Sequence, residues 1–283
     1  MNTILLNDNV RIPQLGFGVF LIDCDGSAYK AVRMALDAGY RHIDTAAAYF
    51  NEEEVGRAVR DSGIPREEIF VTSKLWLQDY GYENALKGLD VSLSKLGLDY
   101  VDLYLLHQPY GDVSGAWKAL EEGRRQGKIR SIGVSNMTPG LYRKLTADFE
   151  TVPSVNQVEC NLFCQQKALR SLLRETGTAV EAYQPLGHGS QALLTNGKVL
   201  ELARKYGKSA AQILLHFLIQ EGIIVLVKSV NEDRIRANAD IFDFSFTAQE
   251  MEDLRALDTG HGNHDPEAPG VGEMLLERYK IHD

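Results

Sequence analysis

Ionisable and amide side chains recur in this chain at or just after the ends of short apolar runs. Asp44 ends the run 41–44, Lys74 follows 69–73, and His107 follows Leu103-Tyr104-Leu105-Leu106. Ser135 and Asn136 follow 129–134, Gln157 falls near the end of 154–158, Tyr183 follows 179–182, and Lys228 closes the run that begins at Ile223. Tyr49 stands shortly after Asp44. These types have a joint chemistry. A tyrosine with its ordinary pKa of about 10 is a poor acid at neutral pH, but an adjacent ammonium favours the phenolate and lowers that value. A carboxylate keeps a partly buried lysine charged, and a histidine opposite can orient and polarise a carbonyl oxygen. Asp, Tyr, Lys and His are the parts needed to protonate an alkoxide as it forms. Singly, each has a plainer reading: Asp44-Thr45 as a helix cap, Lys74 as a snorkelling surface lysine, His107 as a structural histidine, Tyr49 as a packing residue, and Cys160 as a small hydrophobe. They gain weight only as a set.

The elements that must position this set alternate regularly. Residues 3–6 and 10–12 flank the turn residues Asn7-Asp8-Asn9 and read as a hairpin. A first strand, 15–19, is followed by a helix that Ser27 could cap, with Ala31, Val32, Met34, Ala35 and Leu36 on one face and Gly39 as its stop. Further strands are expected at 41–44, 69–73, 101–106, 129–134, 154–158, 179–182 and 223–225. Helical patterns follow at 51–60, 83–96, 113–126 and 168–175, two more at 199–206 and 209–220, and a last helix after the capping-box form Thr247…Glu250. Eight strands alternating with helices imply parallel pairing. The expected fold is α/β: one (β/α)₈ TIM barrel domain over 1–283, with an N-terminal β-hairpin at its N-terminal mouth and extra C-terminal helices. The alternative, an open doubly wound sheet, usually carries a Gly-rich phosphate turn, and Gly16-Phe17-Gly18 lacks the third glycine. In a barrel, chemistry sits at the C-terminal ends of the strands, which is where the polar residues fall.

Composition sets outer bounds. The 283 residues carry a formal net charge of −9, which disfavours general binding to nucleic acid or anionic membrane. The start shows no basic segment followed by a long apolar run, and the stretch 213–227 is interrupted by His216, Gln220, Glu221 and Gly222, so neither a signal peptide nor a membrane span is expected. Cys24, Cys160 and Cys164 form no disulfide framework and no zinc pattern. Asn136-Met137-Thr138 matches the glycosylation pattern by chance. The reading is of a cytoplasmic monomer acting on a small molecule without a metal.

The run Asp44-Thr45-Ala46-Ala47-Ala48-Tyr49-Phe50-Asn51-Glu52-Glu53 resembles the signature of the aldo-keto reductase superfamily. The likeness continues through Ser73-Lys74-Leu75-Trp76, Asp102-Leu103-Tyr104-Leu105-Leu106-His107, Gly133-Val134-Ser135-Asn136, Val155-Asn156-Gln157-Val158-Glu159, Ala182-Tyr183-Gln184-Pro185-Leu186-Gly187 and Lys228-Ser229. It spans nearly the whole chain, in order. Length and the short segment after His107 resemble the bacterial and protozoan branch, with its 2,5-diketo-gluconate reductases and prostaglandin F synthase-like reductases.

The resemblance implies an NADPH-dependent reduction of aldehydes or ketones. It implies that Tyr49 is the general acid, that Lys74 lowers its pKa, that Asp44 pairs with Lys74, and that His107 orients the substrate carbonyl. Ser135, Asn136 and Gln157 would hold the nicotinamide carboxamide, Tyr183 would stack on the ring and Leu186 would add a cofactor contact. Lys228, Ser229 and Arg234 would grip the 2′-phosphate, and Asn238 would contact adenine. Several positions depart from the family pattern: Gln108 replaces a tryptophan, Gln184 a serine, Cys160-Asn161-Leu162 a Tyr-His-Pro-like stretch, Val227 a proline and Ala237 a glutamate. Phe20, Trp76 and Tyr110, in loops expected after strands one, three and four, suggest with His107 and Gln108 a pocket of apolar walls and polar floor, suited to small aldehydes, dicarbonyls and keto-sugars. Two other readings stay open: a Schiff-base barrel aldolase using Lys74, and a cofactor-binding regulatory subunit on the same fold.

Overall fold

Short apolar runs bounded by turn residues become parallel strands, and the amphipathic segments between them become the helices that cover those strands. The computed structural model describes residues 2–263 and 265–283. The strands β1 (Thr3–Leu5) and β2 (Arg11–Pro13) form the antiparallel hairpin. Eight more follow: β3 (Leu15–Gly18), β4 (His42–Asp44), β5 (Phe70–Leu75), β6 (Val101–Leu106), β7 (Ile129–Ser135), β8 (Val155–Glu159), β9 (Ala179–Tyr183) and β10 (Ile224–Val227). They pair in parallel in chain order, and β10 returns to β3, so the barrel closes as expected. The hairpin lies where the sequence places it: Leu6 and Ile12 pack with the interior residues Phe70, Leu103, Val155 and Ile224 and plug the N-terminal end.

Element ends differ from expectation by a residue or two. Because β5 runs to Leu75, β7 to Ser135 and β9 to Tyr183, the residues Lys74, Ser135 and Tyr183 belong to strands rather than to the loops after them. The capping boxes at Ser209/Gln212 and Thr247/Glu250 form. Ser27 does not cap its helix, Ser27–Asp37. The Glu54 carboxylate, from the helix Glu52–Arg60, accepts instead from the backbone N–H groups of Gly26 (2.6 Å) and Tyr29 (3.0 Å), satisfying two orphan donors at once. The C-terminal segment adds a helix, Val271–Arg278, that periodicity did not expose. No helix among the described residues is long and apolar enough to cross a membrane.

Barrel interiors are filled mainly by branched apolar side chains. Here His42, Thr72 and Glu181 are fully buried inside, alongside Asp44, Lys74 and Gln157. Gly16 makes the room, since a Cβ there would stand 2.5 Å from His42 Nδ1. Burial, and after it the neighbouring Asp44, pushes the Glu181 carboxyl up to about 8, while burial pulls His42 down to about 3, so both are neutral at pH 7.

Two tests follow from this packing. Gly56 lies against the end of the helix Tyr82–Leu96, where a Cβ would sit 1.8 Å from the Leu96 carbonyl oxygen. Gly56→Ala is expected to destabilise the fold by about 1–3 kcal/mol through overpacking, and a denaturation midpoint equal to wild type would contradict the contact. The second concerns pH. Glu181 ionises near 4.5 when unfolded and near 8 when folded, so between those values the folded state holds the extra proton and stability falls as pH rises. Glu181→Gln should match wild type in Tm near pH 5 and exceed it increasingly toward pH 9. A Tm difference that does not change with pH would show that Glu181 is not held protonated.

Candidate active site

The C-terminal ends of β4, β5 and β6 bring the chemistry-bearing residues together. Lys74 is fully buried, and its Nζ donates to Asp44 Oδ1 (2.6 Å), to the Thr45 carbonyl (2.9 Å) and to the Tyr49 hydroxyl (3.3 Å). An ammonium has three donors, and all are used. Tyr49 ends a 3₁₀ turn, Ala47–Tyr49, that follows β4. Asn51 pins this segment: its Oδ1 accepts from the Thr45 hydroxyl (2.8 Å), and its Nδ2 donates to the carbonyls of Val19 (3.1 Å) and Ile22 (3.0 Å). The His107 ring stands edge-on to Tyr49 (centroids 5.5 Å apart) and to Trp76 (5.1 Å). The four residues expected to act together are thus in one place.

Burial alone would pull the Lys74 pKa down, but Asp44 and then Tyr49 outweigh it, and Lys74 ends above its usual value as a secure cation. Burial raises Asp44 against the opposing pull of Lys74 and Gln157. For His107, burial and then the Lys74 charge hold the pKa well below the usual histidine range, so the imidazole is neutral. Tyr49 departs from expectation. Its pKa is raised, because burial exceeds the lowering by Lys74, to which Asp44 adds a further rise. The ammonium offsets part of the desolvation rather than producing a net depression, and the phenol stays protonated at neutral pH.

A second group of expected residues forms its own network. Asn136, in the left-handed backbone region (φ 60°), accepts at Oδ1 from the Tyr183 hydroxyl (2.7 Å) and donates from Nδ2 to the His107 carbonyl (3.2 Å) and Ser135 Oγ (3.2 Å). The Ser135 hydroxyl donates to the Gln157 backbone carbonyl (2.9 Å), and Gln157 Nε2 donates to Asp44 Oδ2 (2.9 Å). Leu186 is half-buried nearby in sequence and packs on the core. Past β10, Asn231 caps the helix Glu232–Ala239 by accepting from the Arg234 N–H (3.0 Å), and the buried Ser229 hydroxyl accepts from the Asn231 N–H (3.1 Å). Lys228 and Arg234 are exposed there with no carboxylate partner among the described residues, whereas Arg236 is bound to Glu232 (2.8 Å). Asn238 is buried on the same helix.

Around this cluster, Phe20 packs on Tyr49 (centroids 4.9 Å apart) and Trp76 on His107. Tyr80 clamps the Gln108 backbone, its hydroxyl donating to the Gln108 carbonyl (2.7 Å) and accepting from its N–H (3.2 Å); the Gln108 Oε1 is buried without a partner among the described residues. The Tyr110 hydroxyl donates to the Pro266 carbonyl (2.6 Å) and its ring lies against Gly272, so it anchors the C-terminal segment. Sequence reasoning missed Tyr279. The Trp76 indole donates to the Tyr279 carbonyl (2.7 Å), the two rings meet edge-on at 5.9 Å, and Tyr279 is near enough to Tyr49 to raise its pKa. Gln78 and Asp79 hold the chain end, with Gln78 accepting from the Ile281 N–H (2.9 Å) and Asp79 Oδ1 2.7 Å from His282 Nε2. No local signal links residue 279 to residue 76. Glu181 was also missed, and there a signal existed: a charged residue in the middle of the buried strand Ala179–Tyr183.

Comparison with known proteins agrees with this geometry. The model of the aldo/keto reductase family matches residues 15–259. The chain is 46% identical over 260 residues to an aldo-keto reductase of Mycolicibacterium smegmatis, covering 91% of this chain and 94% of that protein. It is 43% identical to the 9,11-endoperoxide prostaglandin H2 reductase of Trypanosoma cruzi (90% and 91% covered) and 44% identical to the glyoxal reductase of Bacillus subtilis (90% and 92%). Among solved structures, an aldo-keto reductase from a Medee basin deep-sea metagenome superposes with a TM-score of 0.90 at 42% identity, covering 93% of this chain and 97% of that one. A Bombyx mori aldo-keto reductase in complex with NADP gives 0.87 at 35%, with 96% of each chain covered. On its sequence, its closed barrel and the residues gathered at the barrel's C-terminal mouth, the chain belongs to the aldo/keto reductase family.

Proposed function

We propose that the protein is an NADPH-dependent carbonyl reductase in which Tyr49 delivers the proton. The observation that carries this reading is the buried Lys74 ammonium, held between the Asp44 carboxylate and the Tyr49 hydroxyl, with a neutral His107 beside Tyr49. Bound at this mouth, a reduced nicotinamide supplies the hydride that reduces the carbonyl carbon. The Tyr49 hydroxyl gives its proton to the carbonyl oxygen as negative charge develops there. The phenolate left behind faces the Lys74 ammonium, and Asp44 keeps that ammonium charged. His107, as a neutral imidazole, donates an N–H to the same oxygen and sets its direction. The same ion pair speaks against a Schiff-base aldolase, because a lysine whose pKa is raised has no free lone pair for the carbonyl carbon.

The residues present fit a phosphorylated nicotinamide cofactor. Both N–H groups of Gln157 are committed inside the barrel, which leaves its carbonyl oxygen to accept from a carboxamide. Ser135 and Asn136 supply further polar atoms beside it. Lys228 and Arg234, unspent on carboxylates among the described residues, flank Ser229 at a helix N-terminus, a setting that favours a dense anion such as a 2′-phosphate. On this reading Leu186 and Asn238 would add further contacts to the cofactor. For the substrate we favour small aldehydes, α-dicarbonyls and keto-sugars. Phe20, Trp76 and Tyr279 would give apolar walls, and the buried, unpartnered Gln108 amide oxygen would be an acceptor for a substrate hydroxyl. The relative from B. subtilis, a glyoxal reductase by name, supports this class. We assign the protein to the cytoplasm, which suits its three unpaired thiols, Cys24, Cys160 and Cys164.

Tyr49→Phe is expected to lower kcat for reduction by about 10²–10⁴-fold while NADPH binding persists, and Lys74→Met to be comparably impaired. A kcat near wild type in Tyr49→Phe would overturn the proton assignment. Wild type should prefer NADPH to NADH by at least about tenfold, a difference of roughly 1.4 kcal/mol. Arg234→Ala should weaken NADPH and spare NADH. Fluorescence quenching titrations decide this, and equal losses for both cofactors would remove Arg234 from phosphate recognition. Among substrates, kcat/KM should favour methylglyoxal-like dicarbonyls over steroid ketones, and the reverse order would reject the small-substrate assignment.

A further inference from the structure

The polar network under the catalytic residues does not stop at Asp44. Gln157 and Glu181 are direct cross-strand partners on β8 and β9. Gln157 Nε2 donates to Asp44 Oδ2 at 2.9 Å and to Glu181 Oε2 at 2.7 Å. An amide nitrogen carries two hydrogens, and two carboxyl groups from different strands take one each. If the amide were turned over, its oxygen would face the Asp44 carboxylate and that bond would become a repulsion. Asp44 therefore selects one of the two orientations available to a primary amide, Glu181 holds the second N–H in it, and the side-chain carbonyl oxygen of Gln157 is the atom left without a bond to any described residue.

Glu181 has no evident reason to be in a barrel interior for packing alone. It is fully buried, and burying a carboxyl without a strong partner is costly. The groups that face it are His42 and Asp44 from β4, Thr72 and Lys74 from β5, and Gln157 from β8; its register partner on β10 is the apolar Ile224. Lys74 is already bound to Asp44, and His42 Nε2 lies 3.6 Å from Glu181 Oε1 and 3.0 Å from the Thr72 hydroxyl. Among the described residues, the one close bond that Glu181 makes is to Gln157. Held neutral, as the burial described above requires, it supplies an acceptor to that amide without setting a second negative charge beside the Lys74–Asp44 pair.

We propose that Glu181 is a positioning residue for the reaction: together with Asp44 it locks the Gln157 amide so that the carbonyl oxygen is the atom offered to the carboxamide N–H of a bound nicotinamide. The proposal rests on the reading of Gln157 as a nicotinamide contact. It makes Glu181 act on one half of the cofactor only, through one residue.

The test compares Kd for NADPH with Kd for 2′,5′-ADP, which carries the adenine and the 2′-phosphate but no nicotinamide, and records Tm for each variant. Gln157→Ala is expected to weaken NADPH about tenfold, the scale of one hydrogen bond, and to leave 2′,5′-ADP unchanged. Glu181→Leu frees one N–H of Gln157 and should weaken NADPH several-fold, again sparing 2′,5′-ADP. Glu181→Gln, whose carbonyl can accept the same bond, should restore most of that loss. In the Gln157→Ala background, Glu181→Leu should add nothing. Should Glu181→Leu fail to fold, Glu181→Asp keeps the polarity but withdraws the carboxyl by one methylene, and it should show the same selective loss. If Gln157→Ala leaves the ratio of the two constants unchanged, the cofactor reading of Gln157 fails, and the proposal with it. If Gln157→Ala shifts the ratio but the Glu181 variants do not, or if they weaken both ligands alike while lowering Tm, Glu181 is a structural residue and the proposal alone is overturned.

Discussion

Two opposite charges, Lys74 and Asp44, face each other at 2.6 Å in the interior of a closed barrel. Taking both out of water costs several kcal/mol per ion, and their attraction recovers that cost only when geometry is good and the remaining hydrogen-bonding capacity is satisfied. Both conditions hold. The ammonium spends its other two donors on Thr45 and Tyr49, and the second carboxylate oxygen accepts from Gln157. The pair is also the hinge on which the neighbouring groups turn. Lys74 opposes the rise in the Tyr49 pKa, helps to keep His107 neutral, and through Asp44 reaches Gln157. Removing either partner would leave a bare charge in the interior, so fold and chemistry share a single interaction.

The barrel gives that interaction its dielectric. Parallel strands closed on themselves have no edge, and the hairpin packs Leu6 and Ile12 over the N-terminal end. Within this enclosure the structure limits itself to one cation and one carboxylate. His42, His107 and Glu181 are all held in their neutral forms by burial, although each is charged in part or in full at some pH when exposed. In the proposed reaction a neutral His107 would donate an N–H to the substrate oxygen. A neutral Glu181 can hold an amide without repelling Asp44.

The less regular segments that the scaffold carries are fastened to one another beside the barrel. The C-terminal segment is fastened to the loop after β5 through Trp76, Gln78 and Asp79, and to Tyr110 through Pro266. Trp76 has two contacts of different kinds: its ring walls His107, and its indole N–H holds Tyr279. Trp76 therefore links the tail to His107 directly. The Glu159 carboxylate, at the end of β8, ties down the same segment by accepting from the N–H (2.7 Å) and side-chain amide (3.0 Å) of Asn263.

The sequence by itself determined the eight-stranded alternation, the hairpin and the grouping of Asp44, Tyr49, Lys74 and His107. Those features are local in origin. Strand and helix periods, capping boxes and turn residues act over a few positions, and the signature residues sit at strand ends, which a closed barrel brings to one rim. The tertiary structure alone decided three things. Tyr110 holds the tail at Pro266 and Tyr279 packs on Trp76, because contacts across about 200 positions leave no periodic trace (76 with 279). The net rise of the Tyr49 pKa depends on how much water is excluded, which no residue type encodes. Helix Ser27–Asp37 is capped by Glu54 of the next helix instead of by Ser27, because two chain-distant oxygens reach two orphan N–H groups that one local hydroxyl cannot. Glu181 stands between these cases: its charge in a buried strand was visible in the sequence, but its partner, Gln157 on the adjacent strand, is fixed only by the register of the closed sheet.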